Sequence, residues 1–416
     1  MINKIKNLII KFLQSTQKFT GSDNIYIAKN GTYLLIGNII SIIASFLLSI
    51  AFAQLLPKET YGQYRYILSI SAIIAILSLQ GINKAIIPSV AKGFENTIKQ
   101  AFKTKIKWGI IGSLISIIVA GYFWTQNQPE LTISLLIIAV FLPLFKAGEI
   151  YQSYLDGKKL FGKRVSFTTI IQIISSLLLF GGLLLTKNLI ILVLIYFCSY
   201  SLLRLFFFLR TIRKFKPNTN NDTQLIRYGK HLSLMETIGT IAGQLDSILL
   251  FNFIGAEQLA IYSYAVLTVD YARTPLQIIQ EIAVPKLTTR SNEEIKKYLP
   301  KKLIQITFLI LIGIGIYFFL APWFYNTFYP QYTDSITYSR LFALTLLVFP
   351  MSMITLTLYT KNKTKELYKI NTYVPIVQLI STIILVPILG ILGAIIAKLI
   401  SQFFYFFIAI FYFKKL

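Results

Sequence analysis

The sequence predicts an all-α polytopic membrane protein in which about twelve transmembrane helices form two pseudo-symmetric lobes of six around a central cavity. Three observations support this prediction. Apolar runs of about 20 residues repeat along the chain, positive charge falls in alternate loops, and the two halves share a pattern. Hydrophobic residues make up 55% of the 416 residues and charged residues only 14%. Helices of a soluble protein of this length would each show a polar face, which these runs lack.

The apolar runs divide into twelve predicted spans of the length that a bilayer needs. They lie at 33–53, 64–86, 107–125, 131–154, 165–185, 189–211, 229–254, 260–284, 301–321, 336–360, 371–389 and 392–413. The seventh and eighth differ from the rest because they carry Glu236, Asp246, Asp270, Arg273 and Glu281. A charge at the bilayer centre costs about 2.5–3.5 kcal/mol on insertion scales, so such groups pair, protonate or face water. This helix pair is therefore predicted to face an interior.

Loop charges predict the orientation of the chain. Lys and Arg number 41 against 16 Asp and Glu, which gives a net charge of +25. Alternate loops hold clusters of Lys and Arg, whereas the other set offers little beyond Lys58 and Lys187. Positive loops remain in the cytoplasm, so we expect a multi-pass protein of the bacterial inner membrane with both termini cytoplasmic. This placement explains the positive charge without a nucleic-acid partner.

Few residues could support covalent or metal chemistry. The chain has one Cys, Cys198, and one His, His231. A single Cys excludes an intrachain disulfide, and a single His excludes a multi-histidine zinc site. The sequence therefore predicts no enzyme, no metal and no cofactor. Met1–Lys18 places apolar residues at helical spacing among lysines, which predicts an amphipathic helix on the membrane surface.

One segment divides the chain. The run 216–224 combines Pro, Asn and Thr with no apolar side chain, which is typical of a linker. The predicted domains are an N-terminal segment at 1–32, a first lobe at 33–215, a linker at 216–228 and a second lobe at 229–416. Membrane lipids surround both lobes.

The two halves repeat a turn and a stripe of small or polar residues. Phe52–Tyr64 and Leu250–Tyr262 have the same length, and each runs from the end of one span to the start of the next. The stripes lie on the first span of each half, at Asn38, Ser41, Ser45 and Ser49 and at Glu236, Gly239, Gly243 and Ser247. Residues at this spacing share one helix face. Two such faces are predicted to line the central cavity.

The turn after the first span resembles that of a known family. Residues 55–64, LLPKETYGQY, resemble the L-G-P-x-E-Y-G-x-Y turn of Wzx-type oligosaccharide flippases, the polysaccharide biosynthesis transporters of the multidrug/oligosaccharidyl-lipid/polysaccharide exporter superfamily. The second half is similar at 245–250, 254–257 and 261–263. It departs from the family at Ser247, where a basic residue often follows the Asp, and at Ala260, where Gly is usual. The resemblance implies a V-shaped cavity that opens alternately to each side. It also implies a cargo, an oligosaccharide on a polyprenyl diphosphate, moved from the inner to the outer leaflet.

A diphosphate cargo would need cations at membrane depth. The predicted substrate-binding residues are Arg273, Lys398, Lys84, Arg204 and Lys146. The alternative for the last three is that they extend to the inner interface, and Lys146 has Glu149 one turn away. Arg273 has Asp270 at i−3. Lys398 has no acid in its own span, so it must pair across helices or meet a ligand.

Acidic residues in the seventh and eighth spans raise the question of ion coupling. Asp246, Asp270 and Glu236 are predicted to carry H⁺ or bind Na⁺, with a purely structural role for Asp246 as the alternative. Two other functions remain open at this point. One is a multidrug or cation antiporter of the same superfamily, and the other is a membrane polysaccharide polymerase.

Overall fold

The computed structural model of the chain describes residues 24–361 and 363–415, and it describes side chains from Ile36 onward except at 275, 278–286, 288 and 289. The predicted amphipathic helix Met1–Lys18 and the side chain of Glu281 lie outside the described residues. Within the described ranges the chain is almost entirely helical, which confirms the all-α prediction.

Short breaks divide the described chain into helices that we number in order. In the first half these are α1 Asn24–Leu55, α2 Lys58–Ile74, α3 Gly81–Ala91, α4 Thr97–Thr125, α5 Pro129–Ala147, α6 Ile150–Gly157, α7 Phe161–Leu185 and α8 Leu189–Phe215. In the second half they are α9 Leu225–Ile254, α10 Ala256–Thr289, α11 Asn292–Phe328, α12 Ser335–Ala343, α13 Ser352–Thr360 and α14 Thr364–Lys414. Short 3-10 helices lie at Ala75–Ser78, Pro330–Tyr332 and Leu344–Met351.

These helices make up the predicted spans. Nine described segments are long and apolar enough to cross a membrane, and the α2–α3 pair, bent by 47°, makes a tenth. The charged helix α10 corresponds to the predicted span at 260–284. Because α14 has 51 residues, it is long enough to contain the last two predicted spans.

The reversal inside α14 lies at Gly390. Its backbone has φ 57° and ψ −128°, a conformation that side chains with a Cβ rarely adopt. A Cβ added to Gly393 would lie 2.1 Å from the carbonyl oxygen of Leu385. Eight residues of continuous helix would hold those positions about 12 Å apart, so the chain folds back here. The predicted boundary between the spans 371–389 and 392–413 falls at this turn.

The two repeated turns meet between the lobes. A Cβ added to Gly62 on α2 would lie 1.8 Å from the backbone oxygen of Ala256 at the start of α10. Only a residue without a side chain permits this approach. Around the contact lies a cluster of buried tyrosines, which gives this end of the bundle its name, the aromatic end. The cluster contains Tyr61, Tyr64, Tyr264, Tyr329 and Tyr332.

Hydrogen bonds and ion pairs join the lobes at the aromatic end. The Ser49 hydroxyl lies 2.7 Å from the hydroxyl of Tyr329, and the Tyr264 hydroxyl donates to the Ser49 carbonyl at 2.9 Å. Lys58 forms ion pairs with Glu257 at 3.5 Å and Asp334 at 3.4 Å. Among the described residues, every hydrogen bond and ring contact between α1 and the second lobe comes from positions 46–54 of α1.

Away from the aromatic end, the small-residue stripe of α1 contacts the first lobe, whereas the sequence predicted that it lines the central cavity. Ser45 accepts a hydrogen bond from Gln172 of α7 at 3.0 Å, and a Cβ on Gly37 would lie 1.9 Å from Val165 of α7. This part of the stripe therefore packs inside the first lobe, because small residues allow two helices to approach closely. Within the described part of the chain, Ser49 is the one member of that stripe that reaches the partner lobe by a hydrogen bond. On α9, a Cβ at Gly243 would meet no atom within 4 Å, so this position faces open space.

The opposite end of the bundle holds the 216–224 segment and is called the linker end. Here α3 packs on α9, and the Gly81 amide donates to the Ser233 hydroxyl at 2.9 Å. The linker itself is bonded to the loop between α3 and α4. Asn218 donates to the Gly93 carbonyl at 2.8 Å, and the Asn96 amide donates to the Asn220 carbonyl at 3.1 Å. The linker is therefore fastened to the first lobe.

The contact at Gly62 gives a testable prediction about closure. We expect Gly62→Val to hold the aromatic end apart, because the new side chain would meet backbone rather than a movable side chain. Closure can be measured with a short thiol crosslinker between Lys58→Cys and Asp334→Cys in a Cys198→Ser background, and its yield should fall to a small fraction. Gly121→Val is the control, since a Cβ there meets nothing within 4 Å. Equal yields from both variants would contradict the prediction.

Candidate functional site

Arg65 is the cation that lies between the lobes without a carboxylate. It is on α2, directly after Tyr64 of the aromatic end, and its Nε is buried with no hydrogen-bond partner among the described residues. No described carboxylate forms an ion pair with it. Its charge acts on Tyr196 of the first lobe and on Tyr262 and Tyr271 of the second. An unpaired cation at membrane depth requires water or an anionic ligand.

Arg65 is not among the substrate-binding residues predicted from the sequence. It is the second residue of the predicted span 64–86, where a cation is ordinarily interfacial. One signal was available. The positions three and four residues away hold Tyr61, Gly62, Leu68 and Ser69, so no acid could pair with Arg65 on its own helix.

A buried network in the second lobe joins three helices. Lys398 on α14 lies 2.8 Å from the carboxylate of Asp246 on α9, which is 2% exposed. The Tyr262 hydroxyl on α10 donates to the same carboxylate at 2.5 Å, and the Ser247 amide donates to its other oxygen at 2.7 Å. Lys398 therefore pairs across helices, one of the two options that its isolation in the sequence left open. Both oxygens of Asp246 already have donors.

Arg273 lies against the same aromatic ring as Lys398. Its guanidinium is 5.9 Å from the centre of the Phe342 ring, and the Lys398 ammonium is 5.5 Å from that centre. Arg273 forms an ion pair with Asp270 at 2.8 Å and donates to the Thr345 hydroxyl at 3.1 Å. The structure therefore brings the two predicted second-lobe cations together, and each has its own carboxylate.

A cluster of cations shares a single carboxylate inside the first lobe. Glu149 forms ion pairs with Lys105 at 3.5 Å and with Arg204 at 3.2 Å, and the Lys146 charge also acts on it. The Lys105 ammonium donates to Asn83 at 2.6 Å, and its side chain is fully buried. Three positive charges against one negative charge leave an excess of two. The cluster lies in the half of the lobe nearer the linker end.

Lys105 was counted in the sequence analysis as a loop residue, because the predicted span begins only at 107. The helix α4 begins at Thr97, so Lys105 lies on its third turn and faces the lobe interior.

The last predicted cation, Lys84 on α3, pairs with Glu236 on α9 at 2.6 Å and so bridges the lobes. The Lys84 side chain is 69% exposed, which distinguishes it from the buried cluster.

A two-lobed bundle of membrane-spanning helices with cations between and inside its lobes defines the protein as a multi-pass membrane protein. The chain belongs to the polysaccharide biosynthesis protein family, whose profile matches residues 27–272. No curated protein sequence matches it significantly.

Solved transporter structures share the whole fold. A MATE protein in complex with MaD3S has a TM-score of 0.66 at 12% identity and covers 96% of this chain and 97% of its own. The lipid II flippase MurJ, in an inward closed conformation, has a TM-score of 0.66 at 15% identity, with coverage of 91% and 87%. A MOP superfamily transporter from Pyrococcus furiosus has a TM-score of 0.62 at 12% identity, with coverage of 96% and 98%. At these identities the likeness shows the fold alone.

Proposed function

We propose that the protein flips a polyprenyl-diphosphate-linked oligosaccharide, a repeat unit of O-antigen, capsule or a similar polymer, from the cytoplasmic to the outer leaflet of the bacterial inner membrane by alternating access. Family membership and the transporter fold support a polysaccharide transporter. The observation that carries the diphosphate assignment is Arg65, a cation between the lobes with a buried Nε that no group of the described residues satisfies. The positive loops at the linker end support a cytoplasmic position for that end.

The distribution of positive charge fits the movement of a diphosphate. The first-lobe cluster around Glu149 has two positive charges in excess and lies toward the linker end. Arg65 lies toward the aromatic end. Charge-assisted hydrogen bonds from Arg and Lys replace the hydration that a phosphate loses on entering the protein. A headgroup entering at the linker end would therefore meet cations at two successive depths.

The lobe interface contains contacts that can be exchanged between two states. Lys84–Glu236 toward the linker end and Lys58–Glu257 at the aromatic end both have a partner that is more than half exposed. Exposed ion pairs contribute about 0–1 kcal/mol, so they can break and re-form at little cost. Alternating access requires two states of similar free energy, and such weak contacts between the lobes support it.

We propose that carboxylates near the interface between the lobes bind the coupling ion. Asp270 is 48% exposed and Glu236 is 31% exposed, so H⁺ or Na⁺ from water could reach either side chain. Asp246 is less suited to exchange an ion, because its carboxylate already forms an ion pair with Lys398 and accepts a hydrogen bond from Tyr262. The exposed Asp270 is also the observation that favours the second candidate function, a multidrug or cation antiporter.

Loss of the gene separates the two candidates. We expect cells without the protein to lose surface polysaccharide and to accumulate lipid-linked oligosaccharide that an external glycosidase cannot cleave, because the glycan stays on the cytoplasmic side. Plasmid-borne protein should restore both. Sensitivity to cationic drugs, measured in the same cells, should not change. Normal surface polysaccharide together with increased drug sensitivity would overturn the flippase assignment in favour of an antiporter.

A further inference from the structure

A partly open cavity of about 370 Å³ with polar and apolar walls lies in the second lobe, apart from the cations between the lobes. Its walls come from α10, the 3-10 helix Leu344–Met351, α13 and both halves of α14. The lining residues are Arg273, Thr345, Val348, Phe349, Ser352, Thr355, Ile370, Asn371, Val374, Pro375, Gln402 and Tyr405. Ligand sites generally have volumes of about 300–1,000 Å³, so the cavity has room for a group the size of a monosaccharide.

Two amide side chains in the wall have no hydrogen-bond partner among the described residues. Neither Asn371 nor Gln402 makes a side-chain hydrogen bond with any other residue of the described chain, and both lie on the membrane-spanning helix pair of α14. An amide has two donors and two acceptor lone pairs, and lipid can satisfy none of them. These amides therefore require water or a polar ligand in the cavity.

Hydroxyl groups that contact one another or Arg273 form the rest of the polar part of the wall. The Thr355 hydroxyl lies 2.6 Å from the hydroxyl of Tyr405, and Arg273 donates to the Thr345 hydroxyl at 3.1 Å. Because each hydroxyl can both donate and accept, every one of these groups retains capacity for a ligand. The rings of Phe349 and Tyr405 provide the apolar surface beside them.

The chemistry of the wall selects among ligand classes. None of the twelve lining residues is a carboxylate, so an organic cation would find no counter-charge there. A polyprenyl chain would displace water from the exposed Asn371 amide and the half-buried Gln402 amide without replacing its hydrogen bonds. A sugar ring offers hydroxyls to the amides and an apolar C–H face to the aromatic rings. The arrangement therefore fits a carbohydrate better than either alternative.

We propose that this second-lobe cavity binds the glycan of the cargo through Asn371, Gln402 and the hydroxyls of Thr345 and Thr355. The inference rests on the proposed flippase function and extends it. The lobes divide the cargo between them, with the diphosphate bound by cations of the first lobe and the sugar bound by the amides of the second. Arg273 is then a wall residue of the glycan site, with Asp270 as its counter-ion.

Binding of two matched lipids tests the proposal. The full chain in lipid nanodiscs is titrated with lipid-linked oligosaccharide extracted from the cells that encode it, and with the same extract after enzymatic removal of the glycan. We expect the glycan-bearing lipid to bind at least about tenfold more tightly. The double variant Asn371→Leu/Gln402→Leu should lose that preference while binding the bare polyprenyl diphosphate as the wild type does. Gln126→Leu, at an exposed amide of the first lobe, is the matched control and should keep the preference.

The outcomes separate this inference from the function on which it rests. Equal binding of the two lipids by the wild type would show that the cavity holds water only and would overturn the glycan site, while the flippase assignment would stand. A preference retained by the double variant would also overturn it. Failure of the wild type to bind either lipid would overturn both proposals. Unchanged binding of the bare lipid shows that the double variant is folded.

Discussion

Arg65→Gln is expected to abolish export of surface polysaccharide while the protein stays at its normal level in the membrane. Arg65 has no carboxylate partner among the described residues, so its removal leaves no buried negative charge behind. Under the proposed function, what is lost is attraction for the cargo diphosphate. A hydrogen bond to a charged group contributes about 1.5–3 kcal/mol, which corresponds to roughly tenfold to hundredfold weaker binding for each bond lost. Surface polymer and membrane protein level are measured in the same cells.

Two further variants define the role of the Arg65 charge. Arg65→Lys keeps the charge but loses the planar fork that binds two phosphate oxygens at once, so we expect partial export. Lys187→Gln removes an exposed cation from the loop before α8 and should export normally. Normal export from Arg65→Gln at a normal protein level would remove Arg65 from the cargo site.

The second large effect is expected at Lys398. Lys398→Met leaves the Asp246 carboxylate buried without its counter-ion, which costs about 3–5 kcal/mol. We therefore expect the protein level in the membrane and the thermal stability in detergent to fall sharply. The double variant Asp246→Asn/Lys398→Met should recover most of both, because the Asn oxygen can accept from the Ser247 amide and its NH₂ can donate to Tyr262. A fluorescent protein fused after Leu416 reports the level.

The Lys398 pair also tests whether Asp246 couples an ion. Export restored by the double variant would show that the two residues serve as a structural ion pair. Recovered protein with no export would instead assign transport to the charges themselves, as the sequence analysis expected for both residues. Equal loss of protein in the single and double variants would contradict the ion-pair account.

The sequence predicted the spans well because a bilayer imposes a simple rule on length and polarity. The break between the last two spans and the charged pair of α9 and α10 both follow from that rule. The start of α4 was less predictable. Its first turns carry lysines that lower hydropathy without breaking the helix, and Lys105 therefore looked like a loop residue.

The sequence alone could not identify which residues form ion pairs between different helices. Lys398 was predicted to need a cross-helix partner or a ligand, but no spacing rule connects it to Asp246. The opposite case is Arg273, whose i−3 neighbour Asp270 pairs with it as the helical spacing allows. The α1 stripe shows a third limit. Small residues mark close helix contact, but they do not specify which helix makes it, and Ser45 meets α7 rather than the other lobe.

The attachment of the linker limits how the lobes can move. Asn218 and Asn220 bond it to the loop at 93–96, and the Asp222 carboxylate accepts a hydrogen bond from Ser89. Only Thr223 and Gln224 remain between this anchored stretch and the start of α9. A connection of two residues is too short to let the linker ends of the lobes separate. The first turn of α9 also packs on the first lobe, because Leu225 lies in the same buried cluster as Ile82 and Ile86. We therefore expect the lobes to turn about the linker end, with the anchored stretch moving as part of the first lobe.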